Sequence, residues 1–313
     1  MAPYIGTPTS RIDGIAKVTG AAKYAAEFNV PGGVLYGSIV PSAIAKGRIV
    51  SLDTSAAMDV EGVATVLTHE NRPRMAGRDQ DYKDDVAPDG SPLRPLYDNR
   101  VMFNGQPIAL VVAETSEIAR FAASLVRVEY ESEAHVTDVF RQRDAAVPVK
   151  ATSPEGAMFA PPKPRGDAAK ALAAAAVRHD AEYYVPIEHH NPMELYAATV
   201  TVEKDGKFTV YDKTQGVQNV HKYVCGVFGM KPEDVRVMSP FMGGGFGSGL
   251  RPQFEVVLAM LAARALQRTV RVVLTRPQMY ALGYRPAMIQ RIGLGATTGG
   301  TLEAITHDAV TVT

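Results

Sequence analysis

The sequence contains a single cysteine, Cys225, and no tryptophan. One thiol excludes an internal disulfide and any iron-sulfur cluster held by thiolates of this chain alone. If electrons flow here, another chain must carry them. Histidine is sparse too: the seven include one adjacent pair, His189 and His190, but no helical His-x-x-x-His pair and no His/Cys cluster with zinc spacing. A zinc site is not expected. Net charge is also missing, since 33 Lys and Arg face 33 Asp and Glu with no basic block. The chain therefore offers no electrostatic attraction to phosphate backbones or anionic lipids, and neither nucleic acid nor membrane is an expected partner. No apolar run approaches the ~20 residues that span a bilayer. The opening MAPYIGTPTSRIDGIAKVTG has no apolar signal-peptide segment, so no export signal of its own is expected.

What is present is ordinary globular composition, 46% hydrophobic and 21% charged over 313 residues. That length exceeds what one core usually serves, which predicts about two domains. GVLYGSIV, AKGRIVSLD and VATVLT read as short strands, and Asn71 to Leu96, rich in Pro, Gly, Asp and Arg, reads as a loop. QPIALVVAE, a helix capped by Ser116 and running to Leu125, and VRVEYE form a strand-helix-strand unit. The stretch ATSPEGAMFAPPKPRGD before Ala168 is the best linker.

Beyond it, an Ala-rich helix near Ala168 to Val177 precedes AATVTVEKDGKFTVYD, two strands joined at Lys204-Asp205-Gly206. A helix from about Val217 to Gly229, a turn at Pro232, strand VRVMS, a helix from about Phe254 to Leu266 and strand TVRVVLT follow. Two β-rich runs flank Thr297-Thr298-Gly299-Gly300, and the second is still running where the sequence stops, which reads as an interruption.

The segment most informative about chemistry is Ser239-Pro240-Phe241-Met242-Gly243-Gly244-Gly245-Phe246-Gly247-Ser248-Gly249, between a strand and a helix. Its glycines permit positive φ and close approach to a ligand, with N-H groups free for an anion. It holds no Gly-x-Gly-x-x-Gly register, and Leu250 stands where a Walker loop needs Lys. From composition alone, an anion cradle and a tight structural turn remain open.

This loop, placed after Thr214-Gln215 and VHKYVCGVFGMKPEDVRVMSPFM, resembles the molybdopterin-binding segment of the xanthine dehydrogenase/aldehyde oxidase family. RIDGIAKVTGAAKYAAEFNVPGGVLYGSIVPSAIAKGRIVSLD resembles the same family's opening. The resemblance implies an α+β fold, with an α/β hammerhead domain at 1–145, a linker with a short helix at 146–180, and the first part of a molybdopterin-binding mixed α/β domain at 181–313. It implies a molybdenum-molybdopterin cofactor, in the cytosine dinucleotide or another form, contacted by Gln215, Gly243, Gly244, Gly245, Phe246, Gly247 and Ser248. Gln215 would approach an oxo ligand, with Phe246 and Gly247 beside the metal. The metal is held by the pterin dithiolene, so this chain supplies no metal ligand.

The implied reaction is oxidative hydroxylation. The family's base, a glutamate, lies beyond this sequence, so no catalytic residue is expected here and the chain alone is expected to be incomplete and inactive. Implied partners are an iron-sulfur subunit, an FAD subunit, the C-terminal half of the molybdenum subunit and a small-molecule substrate. The compartment would be cytoplasmic, or periplasmic by co-export with a signal-bearing partner.

Where the family continues its loop with a small residue and Lys, this chain has Ser248, Gly249, Leu250 and Arg251. The absent carboxylate at Leu250 favours an aldehyde, closest to bacterial aldehyde oxidoreductases, over an N-heterocycle such as a purine. A non-catalytic scaffold or truncated cofactor-binding fragment, and a nucleotide-binding module, stay as other readings. The phrase Pro186 to Glu194 also resembles the family, but a structural role for His189 and His190 is as well supported as acid-base work. Tyr284-Arg285-Pro286 offers a cation for a dinucleotide phosphate or a plainly solvated arginine. Cys225 reads as a small buried residue of an apolar helix.

Overall fold

The structure is a computed structural model that describes residues 5–75, 95–148 and 165–312. Most of the loop expected between Asn71 and Leu96, and of the linker before Asp167, lies outside the described residues. The N-terminal part contains α1 (Gly14–Val18), β1 (Leu35–Pro41), β2 (Gly47–Asp53), α2 (Ser55–Met58), β3 (Val63–Thr68), β4 (Arg100–Val101), β5 (Pro107–Ala113), α3 (Ser116–Leu125) and β6 (Arg127–Ser132). Next come α4 (Val139–Gln142), α5 (Ala168–Ala174), β7 (Val177–Val185) and β8 (Glu188–His189). The rest comprises β9 (Ala197–Val202), β10 (Phe208–Asp212), α6 (Val217–Phe228), β11 (Val235–Met238), α7 (Phe254–Leu266), β12 (Val270–Val273), β13 (Tyr284–Arg285), β14 (Met288–Ala296) and β15 (Leu302–Thr311).

These elements form two compact units, Met1–Ala134 with His190–Gly283, and His135–His189 with Tyr284–Thr313. The first is built on a mixed seven-stranded sheet of order β11-β10-β9-β12-β1-β5-β3. Its central seam joins residues far apart in sequence, because β1 pairs parallel with β12 through Leu35 opposite Val270. All seven residues of β5 are buried. Successive strand side chains point to opposite faces, and here Leu110 and Val112 enter one apolar cluster while Ala109 and Val111 enter another. An uninterrupted apolar strand is what covering both faces requires.

The larger cluster is filled by α7 and α6. α7 reads FEVVLAMLAARAL, and Glu255 through Ala263 are all buried, as expected of a helix apolar on every side. α6 ends at Gly229, whose φ of +62° closes the helix with its N-H directed to the Cys225 and Gly226 carbonyls. The smaller cluster is closed by α2, α3 and the sheet β4-β2-β6.

The strand-helix-strand reading of residues 106 to 131 is right in element order but not in pairing. β5 belongs to the seven-stranded sheet and β6 to the β4-β2-β6 sheet, so α3 bridges two sheets instead of returning to its own. The cap of α3 is Thr115, whose Oγ1 accepts from the Ile118 N-H at 3.2 Å, one residue ahead of Ser116.

The second unit holds the antiparallel sheet β15-β14-β7, with α5 packed on β14 and β15, and the pair β13-β8. β14 and β15 are the two runs that flank Thr297 to Gly300. No helix among the described residues is long and apolar enough to cross a membrane, and none of their His, Cys, Asp and Glu side chains cluster in threes suited to a metal.

Leu258 is completely buried in the larger cluster, whereas Leu302 is half exposed. Leu258→Ala is expected to cost about 2–5 kcal/mol, and Leu302→Ala less than about 0.5 kcal/mol, in denaturant unfolding.

Candidate functional site

β10 and β11 run parallel as neighbours, with Phe208 opposite Val235 and Tyr211 opposite Met238. Both strands therefore release the chain on one side of the sheet, beyond the carboxyl ends where open α/β sheets place ligands. β10 leads into Lys213-Thr214-Gln215, and β11 into the glycine loop. Hydrogen bonds tie the two segments together. The Gln215 N-H and the Thr214 hydroxyl both donate to the Gly249 carbonyl, at 2.8 and 2.9 Å, and the Ser239 hydroxyl donates to the Thr214 carbonyl at 3.1 Å.

The Gln215 carboxamide organises the loop. Its Oε1 accepts from the N-H groups of Gly247 and Gly249, each at 3.1 Å. Two donors on one atom identify that atom as the oxygen, which turns Nε2 the other way. Gln215 is exposed, and Nε2 makes no hydrogen bond among the described residues. The N-H groups of Gly244, Gly245 and Phe246 likewise have no partner among the described residues. Close approach makes this possible, since a Cβ on Gly245 would collide with the Gln215 carboxamide. Phe246 has φ +54° and is 72% exposed. Positive φ at an aromatic residue is strained, and strain of this kind concentrates at functional sites.

Each end of the loop is gripped separately. Ser248 Oγ donates to the Gly245 carbonyl at 2.8 Å and bonds the Tyr196 hydroxyl, while Gln253 Nε2 donates to the Ser248 carbonyl at 2.8 Å. At the other end the Gly243 N-H donates to Glu194 Oε2 at 2.6 Å, and the Glu194 N-H donates back to the Gly243 carbonyl at 3.1 Å. The segment before Glu194 is pinned by Arg276, whose guanidinium donates to Asn191 Oδ1 at 2.9 Å, to the Met193 carbonyl at 2.7 Å and to the Pro192 carbonyl.

All seven residues expected from the sequence, Gln215, Gly243, Gly244, Gly245, Phe246, Gly247 and Ser248, thus fall in this one assembly, and the main chain carries most of its donors. His190 Nδ1 lies 3.1 Å from the Gly283 carbonyl, and the His189 ring faces Tyr284 at 5.8 Å. Arg285 is paired with Glu188 at 2.6 Å. Cys225 is half-buried on α6, where burial pushes its thiol up.

Sequence reasoning passed over the charged side chains under the loop. Asp212, Lys213 and Glu255 are almost fully enclosed. Burial pushes the Asp212 and Glu255 carboxyls well above the usual carboxylate range, and pushes the Lys213 ammonium down. Glu194 is raised by burial against the Gly243 N-H bond, which acts in the opposite sense, and burial lifts the Tyr196 phenol to about 12. The available signal was Glu255 itself, an acid inside the apolar run Phe254 to Ala263.

The assembly thus gathers main-chain donors without partners among the described residues at the carboxyl ends of two parallel strands, chemistry suited to an anionic group. The Molybdopterin cofactor-binding domain model matches residues 152–313, and the Aldehyde oxidase and xanthine dehydrogenase, a/b hammerhead domain model matches residues 19–134. The chain belongs to the aldehyde oxidase and xanthine dehydrogenase family. It is 37% identical over 307 residues to the aldehyde oxidoreductase molybdenum-binding subunit PaoC of Escherichia coli (strain K12), a match covering 97% of this chain and 40% of that protein. It is 33% identical to a probable xanthine dehydrogenase subunit of Bacillus subtilis (strain 168), over 95% of this chain and 38% of that one. The structure of the aldehyde oxidoreductase from Desulfovibrio gigas superposes with a TM-score of 0.77 at 26% identity, covering 96% of this chain and 34% of that one. The chain thus spans about 40% of the length of the curated relatives it matches.

Gly245→Ala is expected to cost about 1–3 kcal/mol through the collision with Gln215. Gly283→Ala, where a Cβ meets nothing within 4 Å, should stay within about 0.5 kcal/mol; chemical denaturation reads both. The raised carboxyls carry a pH signature. The folded state holds protons that the unfolded chain has released, so the stability these groups confer falls as pH rises from about 4 toward neutrality. Glu255→Gln should flatten that decline as pH rises above about 4.5, in denaturation midpoints.

Proposed function

We propose that this chain is part of a molybdenum hydroxylase that oxidises an aldehyde to a carboxylic acid, and that it supplies one wall of the molybdopterin pocket. The observation that carries this reading is the Gln215 carboxamide, bonded through Oε1 to Gly247 and Gly249, in a loop where Nε2 and the N-H groups of Gly244, Gly245 and Phe246 have no partner among the described residues. Fixed amide donors suit a group whose ligands concentrate negative charge, and they need no reorganisation when charge develops. The residues fit a molybdenum-molybdopterin group: Gln215, Gly243, Gly244, Gly245, Phe246, Gly247 and Ser248 would line it, and Gly245 gives the clearance that a side chain would remove. When bound, the cofactor supplies two-electron oxidation with insertion of oxygen from water.

This chain's own contribution is placement. Glu194 is engaged with Gly243, Tyr196 with Ser248, and Asp212 and Glu255 are enclosed in the interior, so these groups build the frame. The base would come from outside this chain, from the C-terminal part of the molybdenum subunit. Iron-sulfur and FAD subunits would carry the electrons away, from a cytoplasmic location or a periplasmic one reached by co-export.

Leu250, partly exposed just after the loop, offers an apolar surface and no carboxylate, which supports an aldehyde over an N-heterocycle. The cofactor form in this reading is the cytosine dinucleotide. The test is native mass spectrometry of the purified assembly with molybdenum analysis of the same sample. The expected result is about one molybdenum and one pterin for each copy of this chain, with aldehyde turnover. Metal-free protein carrying tightly bound ATP or NAD would overturn the reading in favour of a nucleotide module.

A further inference from the structure

Next to the glycine loop's anchors, four buried polar atoms within one another's fields have no hydrogen-bond partner among the described residues: Lys213 Nζ, Asp212 Oδ1, Glu194 Oε1 and Glu255 Oε2. They come from different elements. Asp212 closes β10 and Lys213 follows it, Glu255 lies in the first turn of α7, and Glu194 stands before β9. Lys213 is 1% exposed, and its ammonium lies 3.7 Å from the centre of the Tyr196 ring. The ammonium lies in the field of the Glu194, Glu255 and Asp212 carboxyls, each of which keeps one oxygen without a partner among the described residues. Their chemistry is complementary: an ammonium has three donors and no acceptor, and ionised carboxyl oxygens accept.

The same side chains reach both ends of the loop. Glu194 uses its second oxygen, Oε2, to hold the Gly243 N-H, and Tyr196, whose ring lies against the ammonium, holds Ser248 through its hydroxyl. Gln215 is two residues beyond Lys213, whose own N-H is fixed to the Ala197 carbonyl at 3.0 Å. The interior packing itself does not call for a cation at this point, where a methionine would fill similar space without desolvating a charge.

We propose that Lys213 is a positioning residue for the glycine loop: its buried ammonium, set against the Tyr196 ring and in the field of Glu194, Asp212 and Glu255, holds the grips on Gly243 and Ser248 in register with Gln215. This rests on the reading of the loop as the cofactor cradle. The ammonium acts at a distance from the bound group, through Glu194 and Tyr196. The Tyr196 face adds a cation-π attraction that keeps the lysine stem extended beneath the loop.

The test uses the full natural protein with its accompanying chains, in five forms: parent, Lys213→Met, Lys213→Arg, Glu194→Gln, and Lys213→Met with Glu194→Gln. Two readouts are taken, amide hydrogen exchange of peptides covering Gly243 to Gly249 and of α7, and pterin retained per chain after gel filtration. Lys213→Met is expected to speed exchange in the loop by about tenfold while α7 stays protected, and to lower pterin retention. Lys213→Arg should restore part of both, and the double variant should lose less than the two changes summed.

Loop exchange unchanged in Lys213→Met, or rising equally in α7, overturns the proposal. So does strict additivity in the double variant. If Lys213→Met does not fold, Lys213→Arg and Glu194→Gln carry the test, and loop exchange unchanged in both overturns the proposal. Parent protein without pterin but with loop exchange that responds to Lys213 defeats the cradle reading and leaves the positioning role standing. Pterin retained in full by Lys213→Met defeats the positioning role alone.

Discussion

The site depends on one contact, the Gln215 carboxamide pressed against the main chain of the glycine loop. Oε1 receives the Gly247 and Gly249 N-H groups, and the space it occupies is the space a Cβ on Gly245 would take. Everything around it serves this approach. The parallel pair β10-β11 delivers Gln215 and the loop to the same side of the sheet, and the bond from the Thr214 hydroxyl to Gly249 fixes their spacing. With the oxygen committed to Gly247 and Gly249, the amide nitrogen and three successive main-chain N-H groups have no partner among the described residues. Buried main-chain donors are normally paired, and Gly245 is buried. On this row of donors the proposed cofactor cradle rests.

The same design concentrates unfavourable terms near the loop. Phe246 adopts positive φ while its ring stands in solvent. Asp212, Lys213 and Glu255 are held in an interior that pushes the carboxyls toward the protonated form and the ammonium toward the neutral one. The continuous apolar packing of α7 and β5 stabilises the surrounding sheet enough to tolerate this local cost. Local disagreement with the rules of a good core, gathered at one end of a sheet, marks function more than it marks poor packing.

Much of this was legible in the sequence for local reasons. The apolar run of α7, the Lys204-Asp205-Gly206 hairpin and the strand of Gln106 to Glu114 follow from periodicity and turn chemistry, which act over a few residues. The loop residues were legible through glycine content and resemblance to the molybdopterin-binding segment. What did not show is non-local. The seam between β1 and β12 joins Leu35 to Val270, and strict order of elements gave β5 and β6 a shared sheet that the pairing denies them. Lys213 and Glu255 drew no attention in the sequence, since a charged residue is by default on the surface. Only the tertiary structure reveals that they face each other's fields beneath the loop. Glu194 stood in a phrase whose histidines drew attention, yet it is the carboxylate that touches the site.

The most direct measurement on the central claim is amide hydrogen exchange of the natural protein with its pterin bound and after the pterin is removed. If the loop is the cradle, protection on binding centres on the peptide holding Gly244, Gly245 and Phe246, while the β14-β15 hairpin exchanges alike in both forms. Protection confined to other segments, with Gly243 to Gly249 unchanged, would contradict the account.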